Sequence, residues 1–306
     1  MEPIIDLKEL SCRYGATEAV SHLTLQVPAG SVYAFLGTNG AGKTTTIKTL
    51  LNLLKPSHGT ASVLGVPTTS LGPAQLAQIG YLSQDQKLPL DLSLQTLINY
   101  SRAIYPTWDD ALCTRLREIL ALPLNRKLGQ LSHGMKTKAA LLISLAYRPR
   151  LLVLDEPFSG LDQLVRDELI QSLIELFEQR EWTMFISSHD ISEVERLADW
   201  VGIIDSGKLC LSEPLDTLLN RFRRVDVMLE EGVITPNQLP DHILLPEISG
   251  PTARWTDPRF IDEDTTRERI SSLFPRNTRF AFSPLSLRDI FVAVTRSLRL
   301  NPPAAL

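Results

Sequence analysis

Gly37-Thr38-Asn39-Gly40-Ala41-Gly42-Lys43-Thr44 fits the spacing G-x-x-x-x-G-K-[ST] and lies between an apolar run and a helical pattern, the context this spacing requires. Phosphate oxygens carry dense negative charge and accept many hydrogen bonds. A loop that wraps them must turn tightly and aim backbone N–H groups inward, which glycines at 37, 40 and 42 permit. The helix that begins near Lys43 adds the positive end of its dipole. On this reading Gly37, Thr38, Asn39, Gly40, Ala41, Gly42 and Thr45 cradle a nucleotide. Lys43 reaches its β- and γ-phosphates, and the Thr44 hydroxyl ligates Mg²⁺.

A second group of residues completes that chemistry. In Leu151-Leu152-Val153-Leu154-Asp155-Glu156-Pro157 an apolar strand delivers two adjacent carboxylates to its C-terminal edge, where open α/β sheets bind ligands. Successive strand side chains point to opposite sides, so the two acids can take different roles. Asp155 is expected to hold Mg²⁺ through water, and Glu156 to polarise an attacking water. The alternative is two acids capping a strand end in a solvated turn, which the presence of the first motif disfavours.

Leu131-Ser132-His133-Gly134-Met135 begins a helix about twenty residues before Asp155 and narrows the choice among phosphate-loop proteins. In this order and spacing the chain resembles the nucleotide-binding subunit of an ATP-binding cassette (ABC) transporter, over roughly residues 4–215. The resemblance implies that Tyr14 stacks on adenine and that Gln84, in Tyr81-Leu82-Ser83-Gln84-Asp85, contacts Mg²⁺ or water and couples to a membrane subunit. It places Ser159-Gly160-Leu161-Asp162 at a dimer interface and makes His189, in Ser187-Ser188-His189-Asp190, the switch that contacts the γ-phosphate. Ser132 and Gly134 would bind the γ-phosphate held by the opposite subunit, so that the site is completed in a head-to-tail dimer. The family consensus there is Leu-Ser-Gly-Gly-Gln, and His133 and Met135 depart from it. A hydroxyl and backbone N–H groups at a helix N-terminus can still bind an anion. A bulky His where close approach favours Gly can instead block the contact, the reading of a regulatory module with a weakened ATPase.

The resemblance further implies ATP hydrolysis, ATP and Mg²⁺ as cofactors, and a second copy or a paralogue as dimer partner. It also implies a separate membrane-spanning permease that contacts roughly Asp85–Gln130, which would hold the chain on the inner face of the cell membrane. Ser286–Thr295 is similar to the ending of many exporter ATPases of the drug and antibiotic resistance kind, which favours export; the same segment also reads as an amphipathic helix packing a small domain. A soluble ABC ATPase acting on nucleic acid or ribosomes is the competing reading. Such proteins usually carry two cassettes or a long coiled-coil insertion, and this sequence shows neither.

The elements that must position these groups are legible in outline. Pro3–Tyr14 and Ala19–Val27 read as extended, with Leu23, Leu25 and Val27 alternating against Thr24 and Gln26 as in a half-buried antiparallel strand. Ser31–Leu36 reads as a buried strand, followed by a helix with Ile47, Leu50, Leu51 and Leu54 in phase that ends before Pro56. From Asp85 to Arg150 the pattern is helical, with Ala111–Ala121 and Met135–Tyr147 as helices. Leu151–Leu154 (strand), Val165–Gln179 (helix) and Trp182–Ser187 (strand) follow, and Ser206-Gly207 makes a hairpin turn between Val201–Asp205 and Lys208–Leu211. Strands alternating with helices predict a largely parallel sheet covered on both faces.

Beyond about Asn220 the prolines at 236, 240, 246, 251 and 258 break the chain into short pieces. Val225, Val227 and Leu229 alternate, as do Phe280 and Phe282, and Leu287, Ile290, Phe291 and Val294 share one helical face. The expected fold is α/β: an ABC-type ATPase core over residues 1–219, with a mixed sheet, an antiparallel β subdomain and a helical subdomain over about 85–150. A small α+β domain over 220–306 completes it.

Composition sets the outer bounds. At about 150 residues per domain, 306 residues predict about two domains. With 43% hydrophobic and 22% charged residues the chain can bury a core and is not disordered. A net charge of −4 gives no general drive toward nucleic acid, so no nucleic-acid partner is expected. Cys12, Cys113 and Cys210 are too scattered for a zinc site or a disulfide framework, which fits a reducing cytoplasm. The most apolar run, Ala139–Tyr147, is too short to span a bilayer.

Overall fold

The computed structural model describes residues 2–84, 86–177, 182–235, 239–240 and 242–300. Asp85, Gln179 and Pro236, named above, lie outside the described residues. The chain divides into two compact units, Met1–Ser212 and Glu213–Leu306.

The first unit runs β1 (Pro3–Tyr14), β2 (Thr17–Pro28), β3 (Val32–Leu36), α1 (Lys43–Leu50), β4 (His58–Val63), β5 (Val66–Pro67), α2 (Pro73–Leu76), β6 (Ile79–Leu82), α3 (Leu94–Ile104), α4 (Asp110–Ile119) and α5 (His133–Leu145). It continues through β7 (Leu151–Asp155), α6 (Gln163–Phe177), β8 (Thr183–Ser188), α7 (Ile191–Val194), β9 (Trp200–Asp205) and β10 (Lys208–Pro214).

Among the described residues β1, β2, β4 and β5 form an antiparallel sheet in the order β2-β1-β4-β5. Val20, Leu23, Leu25 and Val27 are its buried positions on β2, and from Leu23 onward Thr24 and Gln26 face outward, the period-two pattern of a one-sided sheet. A second sheet has the order β10-β9-β3-β8-β7-β6, and β9, β3, β8, β7 and β6 run parallel within it. Every residue of β3, β7 and β8 is buried, which is why β3 and β7 read as largely continuous apolar runs and β8 carries one at its centre.

Register is what this sheet contributes to the site. Leu36 lies opposite Ser188, Asp155 opposite Ser187 and Leu82 opposite Leu154. The loops leaving β3, β6, β7 and β8 therefore emerge along one edge.

Three helices occupy the stretch between β6 and β7, each started by a side chain that satisfies a free amide. The Ser93 hydroxyl accepts from Thr96 N–H at 3.2 Å, the Asp109 carboxylate from Leu112 N–H at 2.8 Å, and the Ser132 hydroxyl from Met135 N–H at 3.3 Å. The predicted helices at 111–121 and 135–147 appear one or two residues earlier for this reason. The first helix also differs from expectation, ending at Leu50 rather than running to Pro56. Asn52 takes a φ of 57°, which breaks the helical ladder.

The second unit runs α8 (Leu215–Arg221), β11 (Arg223–Met228), β12 (Leu244–Ser249), β13 (Thr252–Asp257), α9 (Glu263–Ser271), β14 (Arg279–Pro284) and α10 (Leu287–Leu300). The division between units thus falls seven residues before the expected 219/220. The reason is local: Arg221, at the end of α8, donates to the Glu213 carboxylate at 2.9 Å and to the Pro258 carbonyl at 2.7 Å, which ties α8 to the second unit.

Its sheet has the order β12-β13-β11-β14, with every neighbouring pair antiparallel. Val225 lies between Trp255 and Phe282, and Val227 between Ala253 and Phe280, so the alternation read from the sequence packs one face. At the end of β13 the Asp257 carboxylate is fully buried. It lies 3.5 Å from His242 Nε2 and 2.5 Å from the Arg269 guanidinium on α9, and it accepts from Arg259 N–H at 2.8 Å. Burial alone would raise this carboxyl. The nearby His242 ring, the Arg259 N–H bond and the Arg269 charge outweigh burial and hold it below its ordinary value.

Asp257→Ala leaves a half-buried imidazole and a guanidinium without their anion. It is expected to cost about 3 kcal/mol, the low end of the range for a broken buried pair, because Arg269 is one-third exposed. In the parent chain the same contribution is present above the ordinary carboxylate range and is lost as pH falls below about 4. Urea titrations of parent and variant at neutral and acid pH measure both effects.

Candidate nucleotide site

The phosphate loop is Gly37–Gly42, joining β3 to α1. Gly37 N–H donates to the Ser188 carbonyl at 3.3 Å, and Gly207 N–H to the Ala41 carbonyl at 3.0 Å, so strand ends on either side pin the loop. Gly42 takes a φ of 108°, and a Cβ there would stand 2.6 Å from the Ala19 carbonyl oxygen, so only glycine fits. Asn39, Gly40 and Thr44 face solvent along the loop and first helical turn, while Gly37, Ala41 and Lys43 are buried and Thr38 and Thr45 are half-buried.

Lys43 is folded back into its own loop. Its ammonium donates to the Gly37 carbonyl at 2.7 Å and the Thr38 carbonyl at 3.3 Å, and it pairs with Glu156 Oε1 at 3.0 Å. Glu156 Oε2 lies 2.7 Å from His189 Nδ1, an approach in which the imidazole donates to the carboxylate. One buried carboxylate, 7% exposed, therefore sits between an ammonium and an imidazole. Glu156 has a φ of 51°, a strained value for a residue with a side chain, and its N–H is held by the Ser187 hydroxyl at 3.1 Å.

Asp155 occupies the opposite side of the strand end. Its Oδ1 accepts from the Ser187 hydroxyl at 2.7 Å and the Thr44 hydroxyl at 3.2 Å. Burial pushes its carboxyl above the ordinary range, against the pull of these two bonds. A hydroxyl and a carboxylate beside the phosphate loop are hard oxygen donors, which suit Mg²⁺ when phosphate and water supply the remaining positions. Among the described residues no group of three His, Cys, Asp or Glu is arranged to hold a metal ion by itself, and a metal shared with a nucleotide needs none.

Gln84, two residues beyond β6, donates from Nε2 to the Ser159 hydroxyl at 3.1 Å. Ser132 caps α5, and Gly134 lies where a Cβ would stand 2.4 Å from Val165 Cγ1, so α5 and α6 meet closely at their first turns. His133 turns toward its own chain: its Nε2 lies 3.4 Å from the Ser159 carbonyl oxygen. Tyr14 is half exposed at the end of β1.

The structure thus brings Lys43, Thr44, Asp155, Glu156 and His189 into one cluster. It links Gln84 and His133 through Ser159. Sequence reasoning assigned no role to Ser187, which binds both Asp155 and the Glu156 backbone. Its signal was a serine at the edge of a fully buried strand, but the register with Asp155 that makes it matter is not visible in one dimension.

Such a site defines a P-loop hydrolase of nucleoside triphosphates. Residues 20–159 match the family described as "ABC transporter". The chain is 36% identical to the bacitracin transport ATP-binding protein BcrA of Bacillus licheniformis over 226 residues, 73% of this chain and 74% of that one. It is 32% identical to the Nod factor export ATP-binding protein I of Burkholderia orbicola (strain AU 1054), over 95% of this chain and 96% of that one. A solved structure of the ATP-binding subunit of an ABC transporter superposes with a TM-score of 0.61 at 29% identity, covering 70% of this chain and 91% of that one. The chain belongs to the ATP-binding proteins of ABC transporters, and its reaction is the hydrolysis of ATP to ADP and phosphate.

A buried carboxylate raised above its ordinary value makes the fold bind protons more tightly than the unfolded chain. Stability therefore falls as pH climbs from about 4 through that raised value. Asp155→Asn is expected to raise the melting temperature at pH 7 by roughly 2–4 °C while abolishing Mg²⁺-dependent turnover. Thermal melts with parallel phosphate-release assays check this, and an unchanged or lower melting temperature would contradict it.

Proposed function

We propose that this chain is the ATP-hydrolysing subunit that energises a separate membrane-spanning permease for export, acting as a head-to-tail dimer. The observation that carries the reading is the Glu156 carboxylate held between Lys43 and His189 beside the phosphate loop. Gly37, Thr38, Asn39, Gly40, Ala41, Gly42 and Thr45 wrap the phosphates, and Tyr14 stacks on adenine. A γ-phosphate competes with Glu156 for the Lys43 ammonium. When Lys43 turns to phosphate, Glu156 is freed to orient water, and His189 Nδ1 keeps hold of its other oxygen.

Mg²⁺, held by Thr44 and Asp155 with Gln84 nearby, would supply charge neutralisation at the phosphates. In-line attack needs little covalent help, so the residues here act by positioning and by charge. Ser132 and Gly134 of one copy would complete the site of the other. The His133 ring, engaged with its own Ser159 carbonyl, supports an open approach to that helix start.

An apolar groove of about 290 Å³ supports a membrane partner. It is lined by Leu51, Leu53, Leu76, Tyr81, Tyr105 and Tyr147 and borders Gln86, two residues beyond Gln84. Leu53 is 64% exposed and Ile104 70%, more apolar surface than a solvated face needs. Among the described residues no helix is long and apolar enough to cross a membrane, so a spanning partner has to be a different segment or chain. Docking there would hold this subunit at the inner face of the cell membrane. Export rests on the likeness of both units to a Nod factor export protein and of the first to a bacitracin transport protein.

Glu156→Gln is expected to retain ATP and to lower turnover by about 10²–10⁴-fold, the range for a lost general base. Tagged in its native host and extracted gently with Mg-ATP, the variant should bring down a stoichiometric multi-span protein. Turnover close to the parent's would remove Glu156 from its role. Recovery on ribosomes or nucleic acid would overturn the transport reading and leave the ATP site standing.

A further inference from the structure

Glu156 and His189 stand on separate loops, one after β7 and one after β8, and their useful geometry depends on the spacing of those loops. The first loop is made of short turns: Ser159 N–H donates to the Glu156 carbonyl at 3.1 Å and Leu161 N–H to the Phe158 carbonyl at 3.2 Å. In the second, the Ser188 hydroxyl accepts from Asp190 N–H at 3.0 Å, closing a turn around His189. His189 itself is 44% exposed, so packing alone does not fix its ring.

Arg166, in the first turn of α6, reaches both loops. One guanidinium nitrogen donates to the Leu161 carbonyl at 3.3 Å. The other lies 3.2 Å from Glu193 Oε1 and 3.4 Å from Asp190 Oδ2. Glu193 is 5% exposed, and its second oxygen accepts from the Ser188 hydroxyl at 2.8 Å. Asp190 flanks His189 directly and caps α7 through Ser192 N–H at 3.1 Å. A planar fork of donors is thus shared between the carbonyl of one loop and two carboxylates on the other side of the site.

We propose that Arg166, acting through the Leu161 carbonyl and the Glu193–Ser188 bond, is the positioning residue that sets Glu156 and His189 at hydrolytic distance. This rests on the reading of Glu156 and His189 as the hydrolytic pair. Burial pushes the Glu193 carboxyl up, against the Ser188 bond and the Arg166 charge, so this anion carries a desolvation cost. Buried ion pairs of this kind add little stability compared with apolar packing of the same volume, so a purely structural role gives little reason for it. The bond to Leu161 does nothing for α7 and joins the loop of Glu156 to the guanidinium. Placement errors near 1 Å in an active site cost about a hundredfold in rate, so the loss of this brace should be read in turnover rather than in affinity.

The test uses the full-length chain with Arg166→Ala, Arg166→Gln, Arg166→Lys and Glu193→Gln, each compared with Glu156→Gln and His189→Ala. Arg166→Ala is expected to lower kcat by about ten- to a hundredfold with KM for ATP within about twofold. Arg166→Gln keeps much of the stem and should show the same split if the alanine variant folds poorly. Arg166→Lys should recover little, because an ammonium lacks the fork that spans three acceptors. Glu193→Gln, which keeps the Ser188 contact, should fall between. In the Glu156→Gln background Arg166→Ala should cost almost nothing further, since the two residues act as a unit. Parental kcat in Arg166→Gln, or full recovery by lysine, overturns the proposal. Parental turnover in both Glu156→Gln and His189→Ala would instead bring down the hydrolytic reading beneath it.

Discussion

A carboxylate removed from water is unstable unless opposite charge and hydrogen bonds replace its hydration, and Glu156 meets that demand from two directions. Lys43 supplies charge from the phosphate loop, and His189 supplies a ring nitrogen from the loop after β8. Neither partner is near Glu156 in sequence. They meet because β3, β8 and β7 lie side by side with their C-terminal ends in register. The strained φ at Glu156 is tolerated because Ser187 fixes its N–H, and Lys43 and His189 hold its side chain. Sheet register, loop conformation and charge pairing therefore stand or fall together.

Asp155 and Glu156 show how one strand end separates two tasks. Asp155 points to the side where the hydroxyls of Thr44 and Ser187 make an oxygen-rich pocket, suited to a hard cation. Glu156 points to the side of the ammonium and imidazole, suited to handling a proton or a water. Asp155 closes the strand, and the left-handed turn at Glu156 just beyond it gives the adjacent acids these different surroundings.

Ser159 occupies a junction between this chemistry and the helical part of the first unit. Its hydroxyl takes the Gln84 amide, and its carbonyl takes the His133 ring. Close packing of Gly134 on Val165 and the Lys138–Glu168 pair at 2.7 Å keep α5 and α6 together just behind it. The Gln84 segment is thus bonded directly to the loop that carries Glu156. The second unit contributes none of these groups. It is built around its own sheet and its own buried charge cluster at Asp257.

The sequence alone determined the local features of this protein. The phosphate loop, the paired acids and the capped helices are short-range patterns, in which neighbouring residues constrain one another within a turn or a strand. The alternation in β2 and β11 and the apolar runs of β3, β7 and β8 were legible for the same reason. β4 carried too few apolar residues to stand out, β6 is only four residues long, and the ending of α1 depended on one backbone angle at Asn52. The unit boundary moved because Arg221 chose partners at Glu213 and Pro258 that composition does not reveal. Tertiary structure alone decided that Ser187 binds Asp155 and the Glu156 backbone, that His133 turns to Ser159, and that Arg166 reaches the loops that follow β7 and β8. Each of these depends on strand register or helix packing across more than twenty residues of chain or between separate elements. Hydrogen bonds of about 3 Å are specified by such three-dimensional placement, whereas motifs are specified by spacing along the chain.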